Sequence, residues 1–332
     1  MTIMSMRTAG IILTFTLFIA CGVASVFSSD TGVRTREAIS PLEPAPALDP
    51  HKITLGEELF QDPILSGKNQ LSCSACHDLD VGGTARMPRT VGYSGRLHRY
   101  NAPTIFNVAN NYRLGWRGNF TSLEKQNEVV LLDPDLMASD WPTLLGKLRH
   151  SRYAPLFERA YAEEPSRDTV LDALVTYQKT LVTPNSRFDR YLKGEADILT
   201  SQEMRGYQLF KDLGCVSCHQ GSNIGGNLFQ VFGIFSRPQP NTDPSYDGDL
   251  GRFTITHADA DIGVFRVPSL RNVGLTAPYF HDGRSATLAD AVDVMAKSQL
   301  GEEIQKADID AIVSFLNTLT GEYKGLPLKA KK

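Results

Sequence analysis

The sequence predicts a mostly α-helical fold in two similar domains, with long loops and few, short strands. The chain has 332 residues, enough for roughly two domains of about 150 residues each. Four of its five cysteines lie in two matching patterns, Cys73–His77 and Cys215–His219, one in each half of the chain. Its 27 glycines and 18 prolines favour long connecting loops. We therefore expect one domain over residues 49–195 and a second over residues 196–325.

The first 48 residues are predicted to lie outside these domains. Arg7 is the only charge before Asp30 and precedes an apolar run at 11–20, as in a bacterial export signal. Cys21 follows in a context that loosely resembles a lipobox, and the run is shorter than a membrane span of about 20 residues. Residues 1–26 are interpreted as a cleaved signal, a lipoprotein signal or an anchor. The proline-containing residues 27–48 are interpreted as a flexible linker. Each alternative exports the mature chain, which we expect in the periplasm.

Both cysteine patterns have the form Cys-x-x-Cys-His, which is typical of covalent c-type haem attachment. Two thiols three residues apart can form thioethers with the two vinyl groups of one haem, and the next residue can place its imidazole under the iron. A redox-active cysteine pair would need a βαβ context that the sequence lacks, and a zinc site would not need the adjacent histidine. The sequence thus predicts two haem c groups, held by Cys73, Cys76, His77, Cys215, Cys218 and His219.

The surroundings of the two motifs form a weak internal repeat. A Gly-x-x-Leu-Phe stretch precedes each motif, at residues 56–60 and 206–210, and a pair of glycines follows each, at 82–83 and 225–226. This repetition predicts two cytochrome c-like units, each of which wraps one haem.

Three helices can be placed from sequence. Residues 200–203 form a capping box that opens a helix running toward Phe210. Asp168 is a candidate cap for a helix whose apolar face spans residues 170–181. Apolar residues also recur with helical spacing at 309–319.

Further short segments are shared with one known family. They are Leu59–Gly67, Asn101–Thr104, Val267–Asn272 and, most specifically, Leu275–Gly283. On these segments and the haem motifs, residues from about 55 to 319 resemble the bacterial di-haem cytochrome c peroxidases. The same superfamily contains the di-haem enzyme of methylamine utilisation, which oxidises a partner protein.

The resemblance implies different roles for the two haems. The N-terminal haem would meet hydrogen peroxide, and the C-terminal haem would receive electrons at a high potential. Met295 matches the methionine that supplies this potential through its thioether, although a core methionine is the alternative. Trp116 matches a tryptophan between the haems that relays electrons, with a packing role as the alternative. Gln126 matches a distal glutamine that can hydrogen-bond bound peroxide.

The resemblance also implies one calcium ion between the domains. Asn101, Thr276 and Pro278 match the family's ligands for this ion. One amide oxygen and two backbone carbonyls suit a hard cation, with waters completing its shell. Because no acidic residue joins this set, we expect a modest affinity.

Two positions depart from the family pattern. Tyr93 stands where many members place a histidine that caps the resting peroxidatic iron, so we expect this iron to be open. Leu136 stands where the family places a glutamate that moves protons. Asp135 could replace that glutamate if a loop shift turned it toward the iron and burial raised its pKa, with a solvated loop residue as the alternative. His98, in the same segment, is a second candidate.

Three functions are compatible with these residues. The first is a peroxidase that reduces hydrogen peroxide to water with electrons from a small cytochrome or a cupredoxin. The second is an oxidant of a partner protein, although the methylamine-utilisation enzyme has a tyrosine where this chain has Met295. The third is an electron-transfer or sensor cytochrome, which the loss of the glutamate at Leu136 would allow. With a net charge of -3, the chain has no global basic field to hold nucleic acid. The family tends to form homodimers.

Overall fold

The computed structural model describes residues 37–238, 243 and 245–329. The predictions for residues 1–26 and for residues 27–36 therefore fall outside the described residues. From Ala38 onward the chain forms one compact unit. This unit is mostly helical with few, short strands, so the predicted fold class is confirmed.

The helices are joined by long loops and short 3-10 turns. In chain order they are α1 (Pro50–Gln61), α2 (Leu123–Leu132), α3 (Trp141–Arg149), α4 (Ala154–Tyr161), α5 (Arg167–Thr180), α6 (Arg187–Leu192), α7 (Ser201–Asp212), α8 (Phe253–Thr256), α9 (Leu288–Met295) and α10 (Lys306–Asn317). Two antiparallel strand pairs are formed by β1 (Phe229–Val231) with β2 (Val264–Arg266), and by β3 (Glu322–Tyr323) with β4 (Leu326–Pro327). Among the described helices, none combines the length and the hydropathy needed to span a bilayer.

Each half of the chain contains a closely crossed helix pair, α1 with α5 and α7 with α10. A Cβ atom added at Gly56 of α1 would lie 2.0 Å from the carbonyl oxygen of Ala173 in α5. At Gly206 of α7 it would lie 1.9 Å from the carbonyl oxygen of Ala311 in α10. Only glycine allows the backbones to approach this closely. The two Gly-x-x-Leu-Phe stretches of the sequence therefore build the same helix contact twice.

The helix starts follow ordinary capping chemistry. Thr200 and Glu203 form the predicted capping box at α7. The expected cap at Asp168 is wrong, because Ser166 caps α5 and accepts a hydrogen bond from the Thr169 amide. Asp168 instead lies in the first turn, where its negative charge is favourable next to the helix N-terminus.

A second repeat, with a constant offset of 165 positions, relates the loops that follow each haem motif. An isolated β-bridge joins Leu114 to Phe120, and another joins Tyr279 to Ser285. Upstream of these loops, Asn107 and Asn272 both adopt the left-handed conformation, with φ of 59° and 60°. Their side-chain amides both donate to the hydroxyl of Thr183, at 2.8 and 2.9 Å. The halves thus meet in a buried polar contact made by equivalent residues.

Each half has its own hydrophobic core, but each end of the described chain packs against the core of the opposite half. Tyr323 and Leu328, near the C-terminus, pack against the core of the first half. The ring of Tyr323 lies 5.1 Å from that of Phe106. Ile39, near the start of the described chain, belongs to the core of the second half. Each terminal segment therefore completes the domain to which it is not adjacent in sequence.

The crossing corrects the expected flexible linker for residues 38–42. Ile39 and Leu42 are only 2% and 1% exposed. The Leu42 amide donates to Asp189 at 3.1 Å, and Arg271, which pairs with Asp189 at 2.7 Å in full burial, donates to the Ser40 carbonyl. Two apolar side chains and satisfied backbone groups hold this segment in place, although the prolines that follow favoured an open linker.

Candidate active site

The predicted C-terminal haem residues line one large cavity whose wall is formed by residues of both halves. Cys215, Cys218 and His219 lie in its wall, together with Met295 at the end of α9. The Nδ1 atom of His219 hydrogen-bonds the carbonyl oxygen of Ile224 at 3.3 Å. This contact fixes the ring and leaves Nε2 for a metal ion. Burial lowers the pKa of His219 to about 4, which keeps the imidazole in its neutral, metal-binding form.

Met295 is followed at once by a five-residue π-helical turn, Ala296–Leu300. Such turns are rare and are frequently found at functional sites. Since the methionine shares a cavity with His219, the structure brings together the two side chains that the family resemblance assigns to one iron. Their thioether and imidazole would supply the predicted axial pair.

The N-terminal haem motif repeats this arrangement. The Nδ1 atom of His77 hydrogen-bonds the carbonyl oxygen of Gly83 at 3.3 Å, and burial lowers the pKa of His77. Burial also raises the pKa of the Cys73 thiol to about 12 and that of Cys215 to about 11. All four motif cysteines are free rather than paired in disulfides. Two partly buried thiols and one neutral imidazole with a fixed ring fit covalent haem attachment in each half.

Trp116 lies on the wall of the C-terminal cavity, at the tip of the loop closed by Leu114 and Phe120. Its indole Nε1 donates to the carbonyl oxygen of Asn101 at 2.9 Å. Its own carbonyl oxygen accepts from the amide of Arg266, also at 2.9 Å. The indole and the backbone of Trp116 are therefore held by segments of different halves, as a relay would require.

The three predicted calcium ligands line the same cavity as Trp116. Asn101 is 5% exposed, and its side-chain nitrogen donates to the carbonyl oxygen of Met87 at 2.9 Å. This leaves the amide oxygen as the atom suited to a cation. Thr276 and Pro278 also line the cavity. The structure thus brings the three residues to one place, and the ion itself remains a prediction.

Comparisons with known proteins agree with this geometry. Residues 50–197 match the family described as di-haem cytochrome c peroxidase, and residues 203–320 match cytochrome c. The chain is 36% identical to the cytochrome c551 peroxidase of Nitrosomonas europaea, over 93% of this chain and 92% of that protein. It is 40% identical to the cytochrome c551 peroxidase of Pseudomonas aeruginosa, over 82% and 81% of the two chains.

The chain belongs to the di-haem cytochrome c peroxidase family. It is an oxidoreductase of the peroxidase type that carries haem c. A crystal structure of a MauG-like protein associated with microbial copper homeostasis superimposes with a TM-score of 0.73 at 30% identity. That match covers 85% of this chain and 93% of the other.

The surroundings of Asp135 favour one of its two alternatives. The carboxylate accepts hydrogen bonds from Ser94, at 2.9 Å, and from Arg96, and its side chain is 44% exposed. The Arg96 guanidinium lowers the pKa of Asp135, whereas a proton-transferring carboxyl at this place was expected to have a raised pKa. The surface ion pair therefore favours the alternative, a solvated loop aspartate.

The other distal candidates have different surroundings. The Tyr93 hydroxyl is buried and has no hydrogen-bond partner among the described residues, while its amide donates to the Asp135 carbonyl at 3.0 Å. The Nδ1 atom of His98 lies 3.1 Å from the Tyr100 carbonyl oxygen, so this atom is engaged within its own loop. Gln126 lies in α2, and Leu136 offers no titratable atom.

Two residues in this peroxidase site escaped the sequence reasoning. His281 is 2% exposed, and its Nε2 atom lies 2.7 Å from Asp249, which also accepts from Arg284. Arg266, 4% exposed, lines the cavity and donates to the Gly115 carbonyl, and burial lowers its pKa to about 10. The segment Leu275–Gly283 pointed to the region of His281, but nothing in the sequence marked Arg266.

Proposed function

We propose that this peroxidase reduces hydrogen peroxide to two waters in the periplasm, with two protons from solvent and two electrons from a small cytochrome or a cupredoxin. When bound, the two haems supply the redox chemistry, with peroxide taken up in the N-terminal half and electrons in the C-terminal half. The observation that carries the proposal is the cavity shared by His219, Met295 and Trp116. It joins an electron-accepting haem site to an anchored aromatic side chain at the boundary between the halves.

Different residues of the chain have different roles in the proposed reaction. Met295 would hold the C-terminal iron through its thioether, which favours the reduced state and suits an electron acceptor. Trp116 provides an aromatic step between the halves, held by its hydrogen bond to Asn101. Gln126 orients peroxide through its side-chain amide, which can both donate and accept. A calcium ion at Asn101, Thr276 and Pro278 would hold these segments together.

The distal side of the N-terminal haem is where this chain departs from the pattern of the family that it resembles. Leu136 carries no proton, and Asp135 is paired with Arg96. The Tyr93 hydroxyl is a buried proton-bearing group without a partner among the described residues, so we assign it the hydrogen bond to bound peroxide alongside Gln126. We propose that Tyr93 lies beside the iron and does not cap it.

Steady-state peroxide consumption tests the proposal. Purified holoprotein is mixed with hydrogen peroxide and a reduced small cytochrome or cupredoxin, and oxidation of the donor is followed optically. The expected result is two donor molecules oxidised for each peroxide consumed. Intact haems with no turnover would instead favour the electron-transfer or sensor function that Leu136 allows. Oxidised residues trapped on a partner protein would favour the methylamine-utilisation type of function.

A further inference from the structure

The helix that follows each loop of the second repeat can be compared residue by residue. Ser122 caps α2 and Thr287 caps α9, and these caps are again 165 positions apart. Each hydroxyl accepts a hydrogen bond from the third helical amide, that of Lys125 at 3.3 Å or of Asp290 at 3.1 Å. The two helices therefore start in the same way, and equal distances from the cap correspond to equal positions on the helix surface.

In α9, one face of the helix serves the C-terminal haem site. Ala291 and Met295 are separated by four residues, which places them on the same side of the helix. Both line the cavity that also contains His219. On this face the small residue Ala291 is thus followed, one turn later, by Met295, whose thioether can bind iron.

The equivalent positions of α2 are Gln126 and Val130. These two residues also share one helix face. Val130 is partly buried and packs against the core of the first half, whereas its neighbour Val129 is 47% exposed. Compared with α9, the small residue is replaced by an amide and the methionine by a short, branched hydrocarbon. This face can hydrogen-bond a ligand, but it offers no atom at Val130 that could bind iron.

We propose that Val130 is the residue that keeps the sixth coordination position of the N-terminal haem open for peroxide. It stands where the equivalent helix of the other domain presents Met295. The exchange of alanine and methionine for glutamine and valine distinguishes an electron-accepting haem from a substrate-binding one. The proposal deepens the proposed function and rests on it for the identity of the substrate.

Replacing Val130 with methionine tests the proposal on the oxidised holoprotein, before any peroxide is added. In Val130→Met we expect the high-spin EPR signal to be lost and the optical sulfur-to-iron charge-transfer band to double, because both haems would then have a thioether. Val129→Met places the same side chain one position away, on the exposed part of the helix, and should leave both spectra unchanged. A high-spin signal as strong in Val130→Met as in Val129→Met would overturn the proposal.

A second variant keeps the test informative if the methionine of Val130→Met does not reach the iron. Val130→His presents a stronger ligand from the same position and should also give a low-spin N-terminal haem. Haem content and the melting temperature, compared with those of Val129→Met, report whether each variant is folded. If both Val130 variants are folded and remain high-spin, Val130 does not face the iron. These spectra require no turnover, so a wild-type protein without peroxidase activity would reject the proposed function and leave this test intact.

Discussion

Trp116 and His281 occupy equivalent positions in two repeated loops and contact each other edge to face. Their ring centroids are 6.3 Å apart, with planes inclined at 72°. Each follows the first residue of its loop's β-bridge, Leu114 or Tyr279, by two positions. The backbone links them as well, because the Asn101 amide donates to the His281 carbonyl and the Asn101 carbonyl accepts from Trp116. The expected relay thus sits where the two halves of the repeat meet.

Replacing Met295 should lower the potential of the C-terminal haem. In Met295→Leu the thioether that favours ferrous iron is removed, and axial ligands are a main determinant of haem potential. We expect a decrease on the order of 0.1 V or more and loss of the sulfur-to-iron charge-transfer band. Spectroelectrochemical titration measures both. Met137→Leu, in the core of the first half, is the matched control, and an equal potential in the two variants would assign Met295 to packing alone.

Removing the indole of Trp116 should slow electron delivery without displacing a haem. For Trp116→Phe we expect peroxide turnover to fall by about tenfold or more, a barrier increase of about 1.4 kcal/mol, with both haem potentials unchanged. Trp141→Phe is the control, because Trp141 hydrogen-bonds Glu128 rather than the segments around the cavity. Equal turnover in the two variants would contradict a relay at Trp116.

The N-terminal haem should react with peroxide without prior reduction. A neutral phenol is a poor ligand for ferric iron and must lose its proton to bind as tyrosinate. The oxidised protein at pH 7 should therefore show a high-spin EPR signal, and Tyr93→Phe should retain it. Tyr93→His should convert the signal to low-spin and make the peroxide reaction depend on reduction. A wild-type spectrum that is entirely low-spin would show that another side chain caps this iron.

Calcium should stabilise the folded protein through Asn101. A ligand at a hundred times its dissociation constant contributes about 2.7 kcal/mol to the free energy of unfolding. Chelation should therefore lower the melting temperature by roughly 5 °C, and Asn101→Ala should have the lower value with or without chelator. Calorimetry with and without added calcium makes the comparison. If the chelator leaves the wild-type melting temperature unchanged, no calcium ion binds at this site.

The helix crossing at Gly206 should not tolerate a methyl group. In Gly206→Ala the added Cβ would lie 1.9 Å from the Ala311 carbonyl oxygen, so the helices must separate. We expect a loss of about 1–3 kcal/mol in the free energy of unfolding. Gly146→Ala in α3 meets no atom within 4 Å and should gain roughly 0.5–1 kcal/mol from helix propensity. Denaturant unfolding distinguishes the two, and a neutral Gly206→Ala would show that α7 and α10 can move apart freely.

Local patterns in the sequence were sufficient for the helical class and the haem-attachment motifs. The capping box at Thr200 and Glu203 acts within four residues, so the sequence alone specifies it. The cap of α5 was misassigned because Ser166 and Asp168 are both good capping residues two positions apart, and only the backbone conformation chooses between them.

Contacts between distant loops could not be predicted in the same way. Asp135 is paired with Arg96, and His281 with Asp249, by the folding of separate segments. Neither partner follows a periodic pattern. The packing of Ile39 and Leu42 could not be predicted either, because two isolated apolar residues near a proline-rich stretch do not indicate which distant residues will bury them.

The crossed termini have a consequence for how the protein is made. Domains generally fold in the order of synthesis, the N-terminal one first. Here Tyr323, which packs on Phe106, is added to the chain more than two hundred residues later, so the first domain leaves the ribosome with part of its core uncovered. Cys73 and Cys76 thus become available for haem attachment while their domain still lacks its last packing partner.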